Sequence, residues 1–217
     1  MRIAILANGP SLLDYYDPRN DFDYDLVVGT NSAGWKIACD WVAYFDAHIF
    51  RDWPDRDFRP DAVITNEKMH TWKGVRRIVP EIYNKQMSTP LAKAYTGEGL
   101  TCNWTFPCTI DVVSRTHPGA EIHFYGFDVA VGQADVAGLK GSRTPKRWLR
   151  ELPWVRELWQ PGWEVYSPID PQILRWIQGD GSPKDLTKVL NIDEYIRNGG
   201  QMREIRYCNG QEQRTVS

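Results

Sequence analysis

The residues near the start of the chain that are best suited to chemistry form one short turn: Asn8, Gly9, Pro10 and Ser11. An asparagine amide offers donors and an acceptor, and a serine adds a hydroxyl. Gly9 lets a ligand approach the backbone, and Pro10 suits a helix start, where N–H groups attract anions. Because the apolar run 2–6 precedes the turn, we predict a strand, a nucleotide-binding turn and a helix capped by Ser11. A plain strand–turn–helix unit without a ligand is the alternative.

Polar residues also follow the later apolar runs that are typical of strands. Asn31 and Asp46 follow the second and third runs, and Gly126 and Asp128 follow a run further along the chain. In parallel α/β sheets, ligands bind at the carboxyl ends of the strands. We therefore predict that these strand ends meet around a bound nucleotide. Asn8 and Asn31 would contact its base, ribose or phosphate, and Asp128 would hold the nucleotide or order the lid. Asn8 and Asn31 could instead only cap their turns.

Two residues after the third predicted strand could act as a general base. A carboxylate at Asp46 could take a proton from an acceptor hydroxyl if a desolvated pocket raised its pKa. His48 is the alternative base, since an imidazole titrates near neutral pH. Either residue could instead be a hydrogen-bonded structural side chain.

The segment 140–159 is basic and rich in tryptophan, with six Lys or Arg residues against two Glu residues. Arginine forks bind diphosphates, and tryptophan faces stack on bases or sugars. Arg143 and Arg147 could therefore neutralise a leaving diphosphate, and together with Trp148 they could seat an acceptor, including a nucleic acid. The alternative is an amphipathic lid whose tryptophans pack on the sheet.

No metal site is predicted from the sequence. The two Asp-x-Asp patterns, at 21–23 and 23–25, precede the second predicted strand instead of following a strand. Cys102 and Cys108 lack a matching set of His or Cys partners, so they indicate neither a zinc site nor a disulfide framework.

The elements that must position these residues alternate between strands and helices, which predicts an α/β fold. We expect a single Rossmann-like domain with a mainly parallel sheet flanked by helices. Residues 1–130 would form the nucleotide-binding core and 131–200 a small C-terminal lid completing the same domain. The last part, 201–217, would be a hairpin with an Asn-Gly turn or a tail.

Composition agrees with one such domain. The chain has 217 residues, of which 42% are hydrophobic and 25% charged, and its net charge is −2. No general positive field draws the protein to nucleic acid, although a local basic patch could. Since no apolar run of about 18 residues or signal-peptide pattern is present, we expect a cytoplasmic protein without membrane insertion.

The Asn-Gly-Pro-Ser-Leu motif at 8–12 resembles the nucleotide-binding loop of bacterial sialyltransferases that use CMP-sialic acid. It also resembles a related superfamily that includes archaeal hydroxymethylpterin diphosphokinases and phage-encoded glycosyltransferase-like proteins. Asn31, Thr101 and Gly126-Phe127-Asp128 resemble further motifs of that superfamily, so the resemblance covers 1–50 and about 97–130. It implies a GT-A-like sheet, nucleotide contacts from these residues, and inverting transfer without an obligatory metal or other cofactor.

The chain departs from the sialyltransferases at the catalytic base. Those enzymes use a histidine in the C-terminal lid, whereas all four histidines here, the last of them His123, precede the predicted lid. Sialyl transfer by that mechanism is therefore not expected.

These features together favour a glycosyltransferase that moves a sugar from a nucleotide-activated donor to a hydroxyl. The acceptor could be a glycan or a hydroxymethylated base in DNA, the latter suggested by the phage-encoded relatives, whose setting would be the host cytoplasm. The alternatives are a pterin-type diphosphokinase or other phosphotransferase that uses Mg-ATP, and a non-catalytic module that binds nucleotides or nucleic acid.

Overall fold

The computed structural model of the protein describes residues 1–45, 60–65, 77–78, 104–129, 135–138, 145–182, 185–191, 194, 197, 206–208 and 211–213. Seven strands of this described part form one sheet in which every neighbouring pair is parallel. They are β1 (Arg2–Leu6), β2 (Leu26–Thr30), β3 (Trp41–Ala43), β4 (Ala62–Ile64), β5 (Arg77–Ile78), β6 (Glu121–Tyr125) and β7 (Glu164–Tyr166). The predicted α/β fold with a parallel sheet flanked by helices is confirmed.

The strand order is β5-β4-β3-β2-β1-β6-β7, which places β1 between β2 and β6. Ile3 lies beside Leu26 on one side and Ile122 on the other. Residues 3–6 are buried, because both faces of a central parallel strand are covered. That double coverage explains why β1 is a continuous apolar run instead of an alternating one.

Helices cover both faces of the sheet, and their order along the chain is α1 (Leu12–Tyr15), α2 (Ala33–Lys36), α3 (Thr105–Thr116), α4 (Pro145–Leu158), α5 (Pro171–Ile177) and α6 (Leu186–Val189). On one face, Ile3 and Ile5 share a core with residues of α3, α4 and α5. On the other, Ala4 and Leu6 pack with Leu12 and the region of α2. No helix in the described part of the chain is long and apolar enough to cross a membrane.

Helix α4 is continuous through Pro153, although a proline inside a helix commonly ends or kinks it. A proline inside a helix removes one hydrogen bond and costs about 3 kcal/mol. Trp148 and Leu152 before the ring, and Trp154 and Val155 after it, are all buried in the same core. Their shared burial keeps both halves of the helix against one surface and offsets the lost bond.

A polar and aromatic cluster lies at the β6 side of the sheet. The Tyr24 hydroxyl is 2.9 Å from Nδ1 of His123 and 2.5 Å from the Tyr125 hydroxyl. On its other side, Nε2 of His123 lies 2.8 Å from Oε1 of Glu121, which also accepts a hydrogen bond from Nε of Arg2. This chain of contacts joins the start of β1, β6 and the segment before β2.

At the C-terminus, β8 (Arg206–Cys208) and β9 (Gln211–Gln213) pair antiparallel.

Candidate functional site

The strand order changes direction at β1, since the chain proceeds from β1 to β5 on one side and returns to place β6 on the other. In open α/β sheets, ligands bind in the crevice outside the carboxyl ends of the strands at such a switch point. A cleft with about 390 Å³ of empty space, part of it open solvent, lies at this position. It is lined by the ends of β1, β2 and β6 and by α3 and α4: Ala7, Asn8, Gly9, Thr30, Asn31, Phe106, Gly126, Phe127, Asp128, Val129, Arg147, Trp148 and Glu151.

Gly9 is needed first of all for contact between two loops of the chain itself. Its N–H donates to the carbonyl of Gly126 at 2.8 Å, which extends the pairing of β1 and β6 beyond the strands. A Cβ at position 9 would lie 2.1 Å from that carbonyl oxygen and 2.5 Å from Oδ2 of Asp128. We expected a ligand to approach the backbone of Gly9, but the loop after β6 occupies that position. Gly9 nevertheless also lines the cleft.

Gly126 is constrained in the same way. Its φ of +64° lies in the left-handed region, and a Cβ there would come within 2.6 Å of the carbonyl of Ala7. Both glycines therefore allow the ends of β1 and β6 to pack directly on each other.

The carboxylate of Asp128 binds Ser11 at two points. Oδ2 accepts the Ser11 N–H at 2.9 Å, and Oδ1 accepts the Ser11 hydroxyl. Ser11 precedes α1, but its side chain makes no capping bond within that helix. The predicted side-chain cap of Ser11 is therefore wrong, because its hydroxyl bonds to Asp128 instead. Neither Pro10 nor Ser11 lines the cleft.

Asn31 projects into the same cleft from the end of β2. Its φ of +47° is left-handed, and its N–H donates to the carbonyl of Ala43 at 2.7 Å. Oδ1 accepts a hydrogen bond from the Thr105 hydroxyl at 3.2 Å, and the residue is only 8% exposed. With its oxygen held by α3, the amide nitrogen of Asn31 is the group that can donate to a ligand.

A second serine–aspartate pair, which was not predicted from the sequence, lies after the end of β2. The hydroxyl of Ser32, just before α2, donates to the buried carboxylate of Asp135. The next residue, Val136, donates its N–H to the carbonyl of Asn8 at 3.1 Å. A short segment at 135–138 therefore ties the ends of β1 and β2 together. It lies in a glycine-rich stretch without periodicity, which carried no signal for this role.

Arg147 and Trp148 bring α4 to the cleft. The guanidinium of Arg147 lies over the rings of Trp104 at 5.1 Å and Trp148 at 5.7 Å. Its Nε donates to Oε2 of Glu151, one turn further along the helix, at 3.1 Å. Trp148 is buried in the core, which agrees with the alternative in which the tryptophans of this segment pack on the sheet. Arg147 keeps 24% of its side chain exposed.

Glu151 was not predicted as a site residue, yet it lines the cleft and is only 1% exposed. Its spacing of four residues from Arg147 is the signal that could have found it, because such pairs meet on one face of a helix.

Four predicted site residues, Asp46, His48, Thr101 and Arg143, lie outside the described residues. Among the residues that are described, no group of three or more His, Cys, Asp or Glu side chains could hold a metal ion. Comparison of the chain with protein-family models, with curated proteins and with solved structures gave no match.

Proposed function

We propose that the protein binds a nucleotide-activated sugar in this cleft and transfers the sugar to a hydroxyl acceptor. One observation carries the proposal: Asn8 and Asn31, at the ends of adjacent parallel strands, line one cleft at the switch point together with Arg147. Amide groups suit the base and ribose of a nucleotide, and a guanidinium suits its phosphates. The resemblance of the 8–12 motif to enzymes that use nucleotide sugars supports sugar transfer as the type of reaction.

In the proposed reaction, the acceptor hydroxyl oxygen attacks the anomeric carbon of the donor sugar. The bond between that carbon and the phosphate oxygen breaks, its electron pair leaves with the nucleotide, and the hydroxyl proton passes to a base. Arg147 stabilises the negative charge that develops on the departing phosphate, because its guanidinium is already oriented by Trp104, Trp148 and Glu151. Asp46 or His48 remains the proposed base.

The first experiment measures thermal unfolding with a panel of nucleoside monophosphates, nucleoside diphosphates and nucleotide sugars at millimolar concentration. A ligand at a hundred times its Kd stabilises a protein by about 2.7 kcal/mol, so at least one nucleotide is expected to raise Tm clearly. If no nucleotide or nucleotide sugar raises Tm, the proposal is wrong.

A matched pair of variants locates the binding. Asn31→Gly retains the left-handed backbone but removes the amide, whereas Asn191→Gly makes the same change at an exposed residue with the same φ of +47°. The first variant is expected to lose most of the nucleotide-induced rise in Tm, and the second to keep it. Equal rises in both would remove Asn31 from the site.

Turnover is then measured as nucleotide release from the nucleotide sugar that binds, with glycans and hydroxymethylated DNA as acceptors, with and without EDTA. Release that continues in EDTA supports metal-independent transfer. Loss of activity in EDTA together with phosphate transfer from Mg-ATP would support the diphosphokinase alternative. Binding without release of nucleotide would support a non-catalytic module.

A further inference from the structure

A buried carboxylate in the cleft, Glu151, takes part in the proposed sugar transfer only by orienting Arg147. Glu151 lines the cleft, and its side chain is only 2% exposed. Taking an ionised carboxylate out of water is unfavourable unless hydrogen bonds replace its hydration. The one described bond to this carboxylate comes from Nε of Arg147 to Oε2, at 3.1 Å. An ionised carboxylate has about four acceptor positions, so this bond uses a small part of its capacity.

The other carboxylate of the cleft is already committed to the fold. Asp128 uses both oxygens to hold the amide and the hydroxyl of Ser11. Two of the about four acceptor positions of Asp128 are thus taken, against one for Glu151, so Glu151 is the cleft carboxylate with more capacity to accept hydrogen bonds from a ligand. Ligand groups that donate to a carboxylate are hydroxyls and N–H groups, and a pair of adjacent hydroxyls matches its two oxygens.

We propose that Glu151 binds the 2′- and 3′-hydroxyls of the nucleotide ribose; this inference rests on the proposed function. Glu151 follows Arg147 by four residues, a rise of about 6 Å along the same face of α4, and Oε2 of Glu151 lies 3.1 Å from Nε of Arg147. A ribose separates its 5′-phosphate from its 2′- and 3′-hydroxyls on the scale of that rise. One face of α4 thus presents a cation to the phosphate and an anion to the diol, while Asn31 approaches from the end of β2.

The chain offers a matched control for this assignment. Glu157 lies on the same helix and is exposed to solvent, so Glu157→Gln removes an equal charge away from the cleft. Glu151→Gln keeps the size of the side chain and one carbonyl oxygen to accept from Arg147, but replaces the other oxygen with a donor. A thermal unfolding curve checks that each variant is folded.

The test is titration calorimetry with the ribonucleotide that stabilises the unchanged protein and with its 2′-deoxy counterpart. The unchanged protein and Glu157→Gln are expected to bind the ribonucleotide about tenfold more tightly than its 2′-deoxy counterpart. A tenfold ratio is the scale of one hydrogen bond to a charged group. In Glu151→Gln, ribonucleotide affinity is expected to fall about tenfold and the preference to disappear.

The contrary results are distinct from failure of the proposed function. If nucleotides bind but the unchanged protein does not distinguish ribose from deoxyribose, the diol assignment is wrong while the nucleotide site stands; that comparison needs no variant to fold. If Glu151→Gln still prefers the ribonucleotide over its 2′-deoxy counterpart, the diol assignment is also wrong. If Glu151→Gln binds normally but loses turnover, Glu151 is a proton acceptor instead. If no nucleotide binds at all, both proposals fall.

Discussion

Asp128 holds Ser11 by its backbone amide and by its hydroxyl, although the two residues are 117 positions apart in the chain. This pair links the loop after β6 to the start of α1. The amide that could have attracted a phosphate from solution is thus occupied by a carboxylate of the protein itself. The Asn8–Ser11 turn is therefore held in place before any ligand arrives.

Replacing Asp128 with Asn is expected to destabilise the protein by about 1–3 kcal/mol, because an amide accepts at one atom only and leaves one donor of Ser11 unpaired. Chemical denaturation measures the change. The exposed Asp180 provides the control, since its side chain makes no described hydrogen bond and Asp180→Asn is expected to have little effect. Combining Asp128→Asn with Ser11→Ala is expected to give a coupling of about 0.5–3 kcal/mol. Strictly additive effects would mean that the pair does not stabilise the fold.

Gly9→Ala is expected to destabilise the fold by more than about 3 kcal/mol. The new Cβ would lie 2.1 Å from a backbone oxygen of Gly126, so the ends of β1 and β6 would have to separate. Gly119→Ala serves as the comparison, because that site has a φ of +76° but open space around it. Its expected loss is about 1–2 kcal/mol, from the left-handed backbone alone. Equal unfolding midpoints for the two variants would contradict the close packing of Gly9 against the β6 loop.

Arg147→Lys is expected to weaken binding of a nucleoside diphosphate about tenfold, if the proposed function holds. Lysine keeps the charge beside Glu151 but loses the planar fork that binds phosphate and lies over two tryptophans. Calorimetric titration of both proteins gives the ratio. Arg175→Lys, an exposed position on α5, is expected to bind like the unchanged protein. Wild-type affinity in Arg147→Lys would place the phosphates elsewhere.

Acid sensitivity is expected from Glu121, whose pKa is lowered from its usual value near 4.5, first by the hydrogen bond with His123 and then by the nearby Arg2 charge. Because the folded pKa is the lower one, this stabilisation is present above the unfolded pKa and is lost as pH falls through the folded value. Glu121→Gln should therefore show a smaller drop in Tm between pH 6 and pH 3.5, checked by thermal scans. Glu157→Gln should follow the unchanged protein; the same drop in all three would rule out this contribution.

Much of the fold could be predicted because it depends on local composition. The buried runs that became β1 and β2 are apolar on both faces, whereas β6 is apolar on the face of Ile122 and Phe124, and each run is followed by residues that suit a turn. The positions of Asn8, Asn31 and Asp128 at strand ends followed directly from those runs. Their meeting in one cleft followed from the parallel arrangement of the strands.

What these residues contact depended on pairs that are distant in the chain. No local pattern indicated that Asp128 would bind Ser11, or that Asp135 would bind Ser32, because such contacts exist only once β6 lies beside β1. The continuity of α4 was likewise decided by a core that buries Trp148 and Val155 on both sides of Pro153.

The sequence by itself determined a parallel α/β sheet with polar strand ends, since apolar runs and turn residues act locally. The tertiary structure decided the order of the strands, and with it the placement of the switch point between β1 and β6. It also decided which polar groups serve the fold and which line the cleft. Asp128 is held by Ser11, whereas Glu151 lies buried on the cleft wall with one oxygen bonded to Arg147. The physical reason is that burial and hydrogen-bond partners are properties of the packed chain, not of any one segment.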